Sequence, residues 1–516
     1  MVIRPMGERA LLVEVGSLDE VLAVHARLET SRPEGIVDLV PAARTILVRV
    51  DPAVLSLAAA RTWASAPGDG DGGDRKASRL VDLAMTYDGP DLYETAELLG
   101  LDVDELVRRH ANAEWTVAFT GFAPGFGYLV SADWPFDVPR LGQPRTRVPV
   151  GAVGLAGPFT GAYPRATPGG WRLIGTTPET LFDPDAAEPA LLVPGTRVRF
   201  HPVPGRATAA AAPRPREAAR PRADRAEGSG IRVTEPGLLA TVQDLGRPGV
   251  AALGVAVSGA FDRRALRTAN RLVGNPEDAA GVEVTMGGFR AVAERDVWFA
   301  VAGAWGRILL DGHDVDPYAA HVWPAGAELH LDWFAHGARA YLALRGGVEG
   351  RTALGSLSAD LLAGIGPAPL RPGDAVPLGG PPRDLVPVAD LAPWGAPPDD
   401  LELDLAPGAR ADWFAASALS TLYESTWVVG SAADRVGVRL EGPALERVRE
   451  GELPSEGMVA GALQVPPDGR PTILGVDGPV TGGYPVIAVV TDAALDLLAQ
   501  ARPGTRIRFR HARVAL

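Results

Sequence analysis

The chain has 516 residues, 46% hydrophobic and 22% charged, with a net charge of −13 and no cysteine. That length exceeds one core and predicts two to four domains. The acidic balance excludes a basic nucleic-acid-binding face, and the missing cysteine excludes disulfides, zinc thiolates and a thiol nucleophile. Lys76 is the only lysine and sits in the Gly/Asp-rich run Asp69–Lys76. A P-loop, a Schiff-base lysine and a biotin-carrying lysine are thereby set aside. No run approaches the ~20 apolar residues of a membrane span, and Met1-Val2-Ile3-Arg4-Pro5 lacks an apolar signal core, which predicts a cytoplasmic protein with no membrane partner.

Residues 1–78 read as a small α+β domain. Ala10–Val15 and Thr45–Val50 predict strands, and Val21, Leu22, Val24 and Leu28 predict a helix over Asp19–Leu28. Residues 66–78 read as a hinge loop.

Residues 79–203 form the next unit. Asp91 with Glu94, and Asp102 with Glu105, predict capped starts of two short helices, the first ended by Gly100, the second carrying Leu106, Val107 and His110. Trp115–Phe119 predicts a strand. It runs into Thr120–Leu129, where glycines alternate with aromatics. Such a loop can wall a ligand pocket or cover an aromatic mini-core. From Arg145 to Phe200, short strands between Gly/Pro turns predict an all-β barrel. Residues 204–230, an Ala/Pro/Arg run without apolar period, read as a disordered linker.

Residues 231–390 open a second half. Ile231–Val233 and Leu238–Val242 predict strands. Ser258–Asp262 leads into a helix with Ala265, Leu266, Ala269, Leu272 and Val273 on one face, stopped by Gly274-Asn275-Pro276. Asp311-Gly312 predicts a hairpin turn, and residues 337–345 alternate as a half-buried strand. A proline-rich acidic run, 389–404, leads into the last unit, residues 391–516. That unit resumes the barrel texture and ends in a helix near Asp492–Gln500 and a strand Thr505–Phe509.

Two phrases recur in order. Phe159-Thr160-Gly161-Ala162-Tyr163-Pro164 returns as Val480-Thr481-Gly482-Gly483-Tyr484-Pro485, and Pro194–Phe200 returns as Pro503–Phe509. One structural unit used twice explains both. The first phrase would then mark equivalent strand-entry turns, with Tyr163 and Tyr484 placed to face a ligand across a cleft between the halves.

The eight histidines show no metal-ligand spacing. Ser258-Gly259 and Gly355-Ser356 do not make a nucleophile elbow. Charged residues set in Gly/Pro loops are the chemical candidates: Asp244, Arg247, Asp262, Asp434, Arg435, Glu456, Asp468 and Asp477. Each either serves a ligand or forms an ion pair that fixes a turn.

The motifs Phe122–Leu129, Pro144–Pro149, Thr160–Pro164 and Pro168–Trp171 resemble the carboxyltransferase subdomain C/D family. That family includes the B subunit of 5-oxoprolinase, the Kip-type kinase inhibitor and the first subunit of allophanate hydrolase. Val242–Arg247, Ser258–Asp262, Ala269–Asn275, Gln464–Gly469 and Thr481–Pro485 resemble the subdomain A/B family, which includes the C subunit of 5-oxoprolinase and the Kip antagonist. The chain looks like a fusion of the two. The resemblance implies a mainly β protein with α+β parts: a cyclophilin-like barrel in the first half, two related lobes in the second and a small N-terminal α+β domain.

It also implies ATP-dependent opening of 5-oxoproline to glutamate, with Mg²⁺ and the A subunit of 5-oxoprolinase as a separate partner chain. Phosphorylating the lactam oxygen would create a leaving group that water displaces. On that reading Asp244, Glu456 and Asp477 handle protons or metal, with no protein metal cluster assigned. Arg345 or Arg435 holds the substrate carboxylate or phosphates. Phe122, Pro124, Arg147, Tyr163, Arg247, Gln464 and Tyr484 complete the substrate- and nucleotide-binding set. Two other readings stay open: a Kip-like regulator that binds a histidine kinase, and a biotin-dependent carboxyltransferase module that needs further chains. Ser356–Asp360 and Val436 depart from the family pattern, and the first of these departures puts the substrate in question.

Overall fold

The computed structural model describes residues 1–67, 79–204, 230–380, 382, 384–388, 392–451 and 453–512. Lys76, most of the expected hinge, residues 205–229 of the expected linker and residues 389–391 lie outside the described residues.

The N-terminal unit is a four-stranded antiparallel sheet ordered Val2–Pro5, Ala10–Glu14, Thr45–Val50, Ile36–Pro41. Helix Leu18–Thr30 starts on Ser17, whose hydroxyl accepts from the Glu20 N–H at 3.3 Å. Val21 and Leu28 bury one helix face with Val13, Ile46 and Val48, joined by Ala60 and Ala64 from helix Leu57–Ser65. The opposite sheet face is also covered. Leu12, Val40 and Leu47 pack with Met458, Leu474, Val486 and Val489 from the far end of the chain. The first domain therefore sits on the last barrel.

The first barrel has seven strands, ordered Arg172–Thr176, Ala152–Ala156, Phe159–Ala162, Gly127–Val130, Trp115–Thr120, Arg197–Pro202, Leu80–Met85. An antiparallel bridge between Thr86 and Thr176 joins the two ends of that order. Asp102 caps helix Val103–Asn112 as expected, accepting from the Glu105 N–H at 2.7 Å. Asp91 stands before helix Leu92–Leu98 but makes no cap bond. Its carboxylate accepts instead from Arg145 at 2.6 Å and from the Leu173 N–H at 2.7 Å, which ties helix, flap and barrel together. His110 is wholly buried. Its two ring nitrogens meet the Tyr87 hydroxyl at 2.8 Å and the Thr160 hydroxyl at 2.9 Å.

The second half begins with two sheets, of six and five strands, closed over one apolar core that includes Phe289, Phe299, Trp323 and Leu342. Helix Arg263–Leu272 starts on Asp262 and covers the five-stranded sheet. Asp311 and Gly312, both at positive φ, turn the expected hairpin between Ile308–Leu310 and His313–Asp314. Strand His336–Leu344 departs from expectation: it is buried from Gly337 onward rather than half-buried. It lies between Gly281–Thr285 and Val297–Trp305, with the helix on one side and the second sheet on the other. Its polar members survive because they are bonded: the Tyr341 hydroxyl donates to Glu283 at 2.7 Å, and Arg339 donates to the Ala499 carbonyl at 2.5 Å.

The last unit is a closed seven-stranded barrel, Asp400–Pro407 to Arg506–His511. It repeats the first barrel closely. Arg197–Pro202 pairs parallel with Leu80–Met85 and antiparallel with Trp115–Thr120. Arg506–His511 does the same with Asp400–Pro407 and Trp427–Val429. The indoles of Trp115 and Trp427 each donate at 3.0 Å to a carbonyl five residues back, His110 and Leu422.

The other repeated phrase corrects the sequence reading. Thr160 lies in the barrel wall, between Ala152–Ala156 and Gly127–Val130. Thr481–Gly482 pairs instead with Glu456–Gly457 as a separate two-stranded flap. The counterpart of that flap in the first barrel is Thr167–Gly169 against Arg145–Val148. Gly169-Gly170-Trp171 thus answers to Gly482-Gly483-Tyr484, and Tyr163 and Tyr484 are not equivalent. Shared letters put two different strands in line; the pairing separates them.

Candidate functional site

The three β units meet where their strained loops meet. Phe122 (φ 66°), Ser258 (φ 56°) and Leu354 (φ 54°) are non-glycine residues in the left-handed region, which costs each about 1–2 kcal/mol. All three lie on this junction. The loop after Trp115–Thr120 reaches across the halves: the Phe122 N–H donates to the Thr481 hydroxyl at 3.1 Å, and the Gly125 N–H donates to the Leu253 carbonyl at 2.9 Å. A Cβ on Gly121 would stand 2.1 Å from the Thr481 oxygen, so only glycine permits the approach. Phe182 packs beside Val255, Ala353 and Ile365.

Both readings of the aromatic loop hold, for different residues. Phe126, Tyr128, Tyr163 and Trp171 form a buried aromatic core with ring centroids 5.1–5.5 Å apart. Pro124 is buried beside them. Phe122 alone faces outward, 42% exposed, with its edge on Tyr163.

A buried charge ladder lies behind the junction. Arg435 makes a two-point pair with Asp477, both contacts 2.9 Å, and donates to Glu283 at 2.8 Å and to the Gly259 carbonyl at 2.7 Å. The Ser258 hydroxyl donates to Asp477 at 2.5 Å. Burial alone pushes the Glu283 carboxyl upward, but the Arg435 and Arg339 guanidiniums outweigh it and hold it below the usual range. Asp244 is saturated in the same way. Its oxygens accept from Gly246 N–H, Leu357 N–H and the Ser356 hydroxyl, each at 2.7 Å, and from the Ser358 hydroxyl. It thereby shapes the loop 353–366.

Arg247 and Asp360 sit between these two clusters, 1% and 2% exposed. Arg247 donates to the carbonyls of Ser358 and Ala353, yet its Nη1 has no partner among the described residues. Asp360 accepts from the Ala363 N–H at 2.7 Å, yet its Oδ2 likewise has no partner among them. Burial, followed by the Asp477 charge, pushes the Asp360 carboxyl up to about 6. Arg165 closes the place from the first barrel, donating to the Leu362 carbonyl at 2.6 Å.

Of the residues expected at a site, Phe122, Pro124, Tyr163, Asp244, Arg247, Arg435 and Asp477 therefore gather at this junction. Tyr484 lies next to the flap strand that holds Thr481 and is 38% exposed. Gln464 lies on the strand behind that flap, its amide on the Met458 sulfur at 3.3 Å. Arg345 and Arg147 are elsewhere, and Glu456, on the flap strand opposite Gly482, is committed to another pair. Glu456 is paired with Arg410, which also holds Glu14 at 3.0 Å and so fastens the N-terminal sheet to the last barrel. Arg345 donates to the carbonyls of Val273, Pro382 and Asp384. Arg147 is exposed on the first flap.

Sequence reasoning missed Arg165 and gave Asp360 no role. Arg165 stands between the motifs Thr160–Pro164 and Pro168–Trp171, which was a usable signal. Asp360 stands in the stretch that departs from the family pattern. Among the described residues no group of three His, Cys, Asp or Glu side chains is placed to hold a metal. Two surface cavities, about 410 Å³ beside Arg506 and Arg508 and about 280 Å³ beside Arg439 and Arg470, open on the last barrel and are lined by none of these junction residues.

A barrel with flap, a two-sheet lobe and a second barrel with flap, docked through glycine-rich loops, define the carboxyltransferase-domain class. The family model for subdomains A and B matches residues 253–511 and that for subdomains C and D matches residues 1–192, and the chain belongs to this family. It is 36% identical over 284 residues to the C subunit of 5-oxoprolinase from Escherichia coli strain K12, covering 54% of this chain and 90% of that protein. It is 48% identical over 128 residues to the B subunit of 5-oxoprolinase from Escherichia coli O157:H7, covering 24% of this chain and 59% of that protein. Over 310 residues it is 30% identical to the urea amidolyase of Saccharomyces cerevisiae, of which it spans 17%. The solved structure of TTHA0988 superposes with a TM-score of 0.85 at 36% identity, covering 97% of this chain and 99% of that one. The chain is thus a fusion of a B-like and a C-like part.

Proposed function

We propose that this chain is the combined B and C component of an ATP-dependent 5-oxoprolinase, converting 5-oxoproline, ATP and water to glutamate, ADP and phosphate with a separate A component. One observation carries the reading: segments similar to two different subunits of one enzyme occur in a single chain and dock through loops whose strained residues converge. A lactam amide is a poor electrophile, and a site that acts on it needs binding energy concentrated in a fixed pocket. The junction offers buried guanidinium and carboxyl groups on a rigid frame.

Mg²⁺ in this reading arrives on the nucleotide phosphates, because Asp244, Asp477 and Glu456 have their oxygens engaged by protein donors. On the same reading the protein would work in the cytoplasm; among the described residues no helix is long and apolar enough to cross a membrane. The test is to combine the purified chain with the A component, ATP, Mg²⁺ and 5-oxoproline. Glutamate formation with 5-oxoproline-dependent ATP use is expected; the absence of both would overturn the reading. The likeness to urea amidolyase favours a second reading, a carboxyltransferase module. Carboxyl transfer to urea on adding a biotin carboxylase and a biotinylated carrier, with no response to 5-oxoproline, would select it.

A further inference from the structure

We infer that Arg247, Asp360 and Arg165 form the pocket that grips the substrate lactam, with Asp360 taking the ring N–H, Arg247 the ring carbonyl and Arg165 the carboxylate. The inference rests on the 5-oxoproline reading and gives it an address.

Two buried atoms of opposite character are left without partners among the described residues, Arg247 Nη1 and Asp360 Oδ2. Leaving such groups unsatisfied costs more than an ordinary hydrogen bond gains, so a donor and an acceptor orphaned side by side call for a water, an ion or a ligand to complete them. Arg165 adds a second guanidinium at the half-buried rim of the same place. Only its Nη1 is bonded, to Leu362, among the described residues. Asp360 is the charged neighbour common to both arginines. The place therefore offers two guanidinium donors and one carboxylate acceptor.

The ligand presents the complement. In 5-oxoproline the ring N–H is flanked on one side by the lactam carbonyl and on the other by the carbon that bears the carboxylate. A cyclic amide is locked cis, so its carbonyl and N–H share one edge. That edge offers acceptor then donor, and the carboxylate adds a second acceptor. Arginine suits both acceptor positions because its guanidinium fork stays charged when buried. An Asp carboxylate at the centre selects for the N–H: a lactone or an N-alkylated ring would leave it buried and unpaired.

The three residues also come from separate parts of the molecule. Arg165 is on the turn before the first flap, and Arg247 and Asp360 are on two loops of the second half. Leu361 and Leu362, which follow Asp360, are 36% and 44% exposed and form the outer edge of the place. The Leu361 N–H donates to Asp477 at 3.2 Å, which anchors that edge to the charge ladder. The pocket is complete only when the two halves are docked.

The test uses the full chain and titration calorimetry with 5-oxoproline, 2-pyrrolidinone and N-methyl-5-oxoproline, alone and with the A component of the enzyme present. The wild type should bind 5-oxoproline and bind each analogue about 10- to 100-fold more weakly, the span expected for one lost charge-assisted bond. Asp360→Asn, Arg165→Ala and Arg247→Lys should each lose a similar factor for 5-oxoproline. Asp360→Asn should narrow the gap between 5-oxoproline and its N-methyl analogue. Wild-type binding with equal affinity for all three compounds, or variants that bind unchanged, would overturn the pocket while glutamate formation with the A component kept the wider reading standing. No binding in either arm, with no glutamate formed, would overturn both. The analogue series on the wild type decides the matter even where a variant fails to fold.

Discussion

The backbone N–H of Phe122 donates to the hydroxyl of Thr481, 3.1 Å away, across 359 residues of chain. Gly121 makes that approach possible, since any Cβ there would overlap the same hydroxyl. The contact joins the aromatic loop of one barrel to the flap of the other, and its removal tests how tightly the halves depend on each other.

Gly121→Ala should destabilise the protein by about 2–3 kcal/mol and Thr481→Ala by about 1 kcal/mol. The double variant should cost less than the sum, because removing the Thr481 hydroxyl makes room for the new methyl. Urea unfolding of the four proteins measures the coupling. Additive losses would mean that the two residues do not meet.

Arg435→Met should be among the most damaging single changes. It leaves Asp477 and Glu283 charged and buried without their shared partner, at a cost of about 3–5 kcal/mol. Arg345→Met removes bonds to carbonyls at a half-buried place and should cost about 1 kcal/mol. Comparing their thermal midpoints ranks the two arginines.

Arg410→Met should loosen the N-terminal sheet. Glu456 and Glu14 would lose the cation that holds both, and the sheet rests on the last barrel through that lock. Hydrogen exchange of strands Ala10–Glu14 and Thr45–Val50 should speed up while Trp115–Thr120 stays protected. Unchanged protection of the N-terminal strands would show that apolar packing alone holds them.

His110 predicts an acid limit for the first barrel. Burial lowers its pKa to about 3 from the usual 6.5. Between those values the unfolded chain binds the proton and the folded chain does not. The stability linked to His110 is therefore whole above pH 6.5 and falls toward pH 3, by about 1.4 kcal/mol per pH unit. His110→Gln should flatten that slope. Urea unfolding at about pH 7 and about pH 5, two points that straddle the ordinary histidine pKa, reads it directly through the fluorescence of Trp115 and Trp134 on the His110 ring.

Much of this was legible in local pattern. Asp102 and the Asp311-Gly312 turn act where the sequence places them, because caps and tight hairpins are set by nearest neighbours. Asp91 shows the limit. It occupies a cap position, but two distant donors, Arg145 and Leu173, claim its carboxylate. The alternation in residues 337–345 was real, yet tertiary cover buried both faces of that strand. The site was legible by halves. Asp244, Arg247, Arg435 and Asp477 were visible as charges in Gly/Pro loops. Asp360 and Arg165 were not: Asp360 stands out by a buried oxygen without a partner among the described residues, and Arg165 by a bond to Leu362 that joins the two halves, and neither can be read from local pattern.

The N-terminal sheet, first in sequence, rests on the barrel that is last in sequence, with the Gly7 N–H on the Pro407 carbonyl at 2.9 Å and the Asp492 N–H on Glu8 at 2.7 Å. The two halves thus embrace at both ends, through contacts among residues far in sequence from the stretch between residues 204 and 230. Covalent fusion then fixes stoichiometry. One polypeptide carries both parts in equal amount, each at a high effective concentration of its mate. An ancestor with separate genes could have used the same interface, and a cut in that stretch would leave a paired complex rather than two loose pieces.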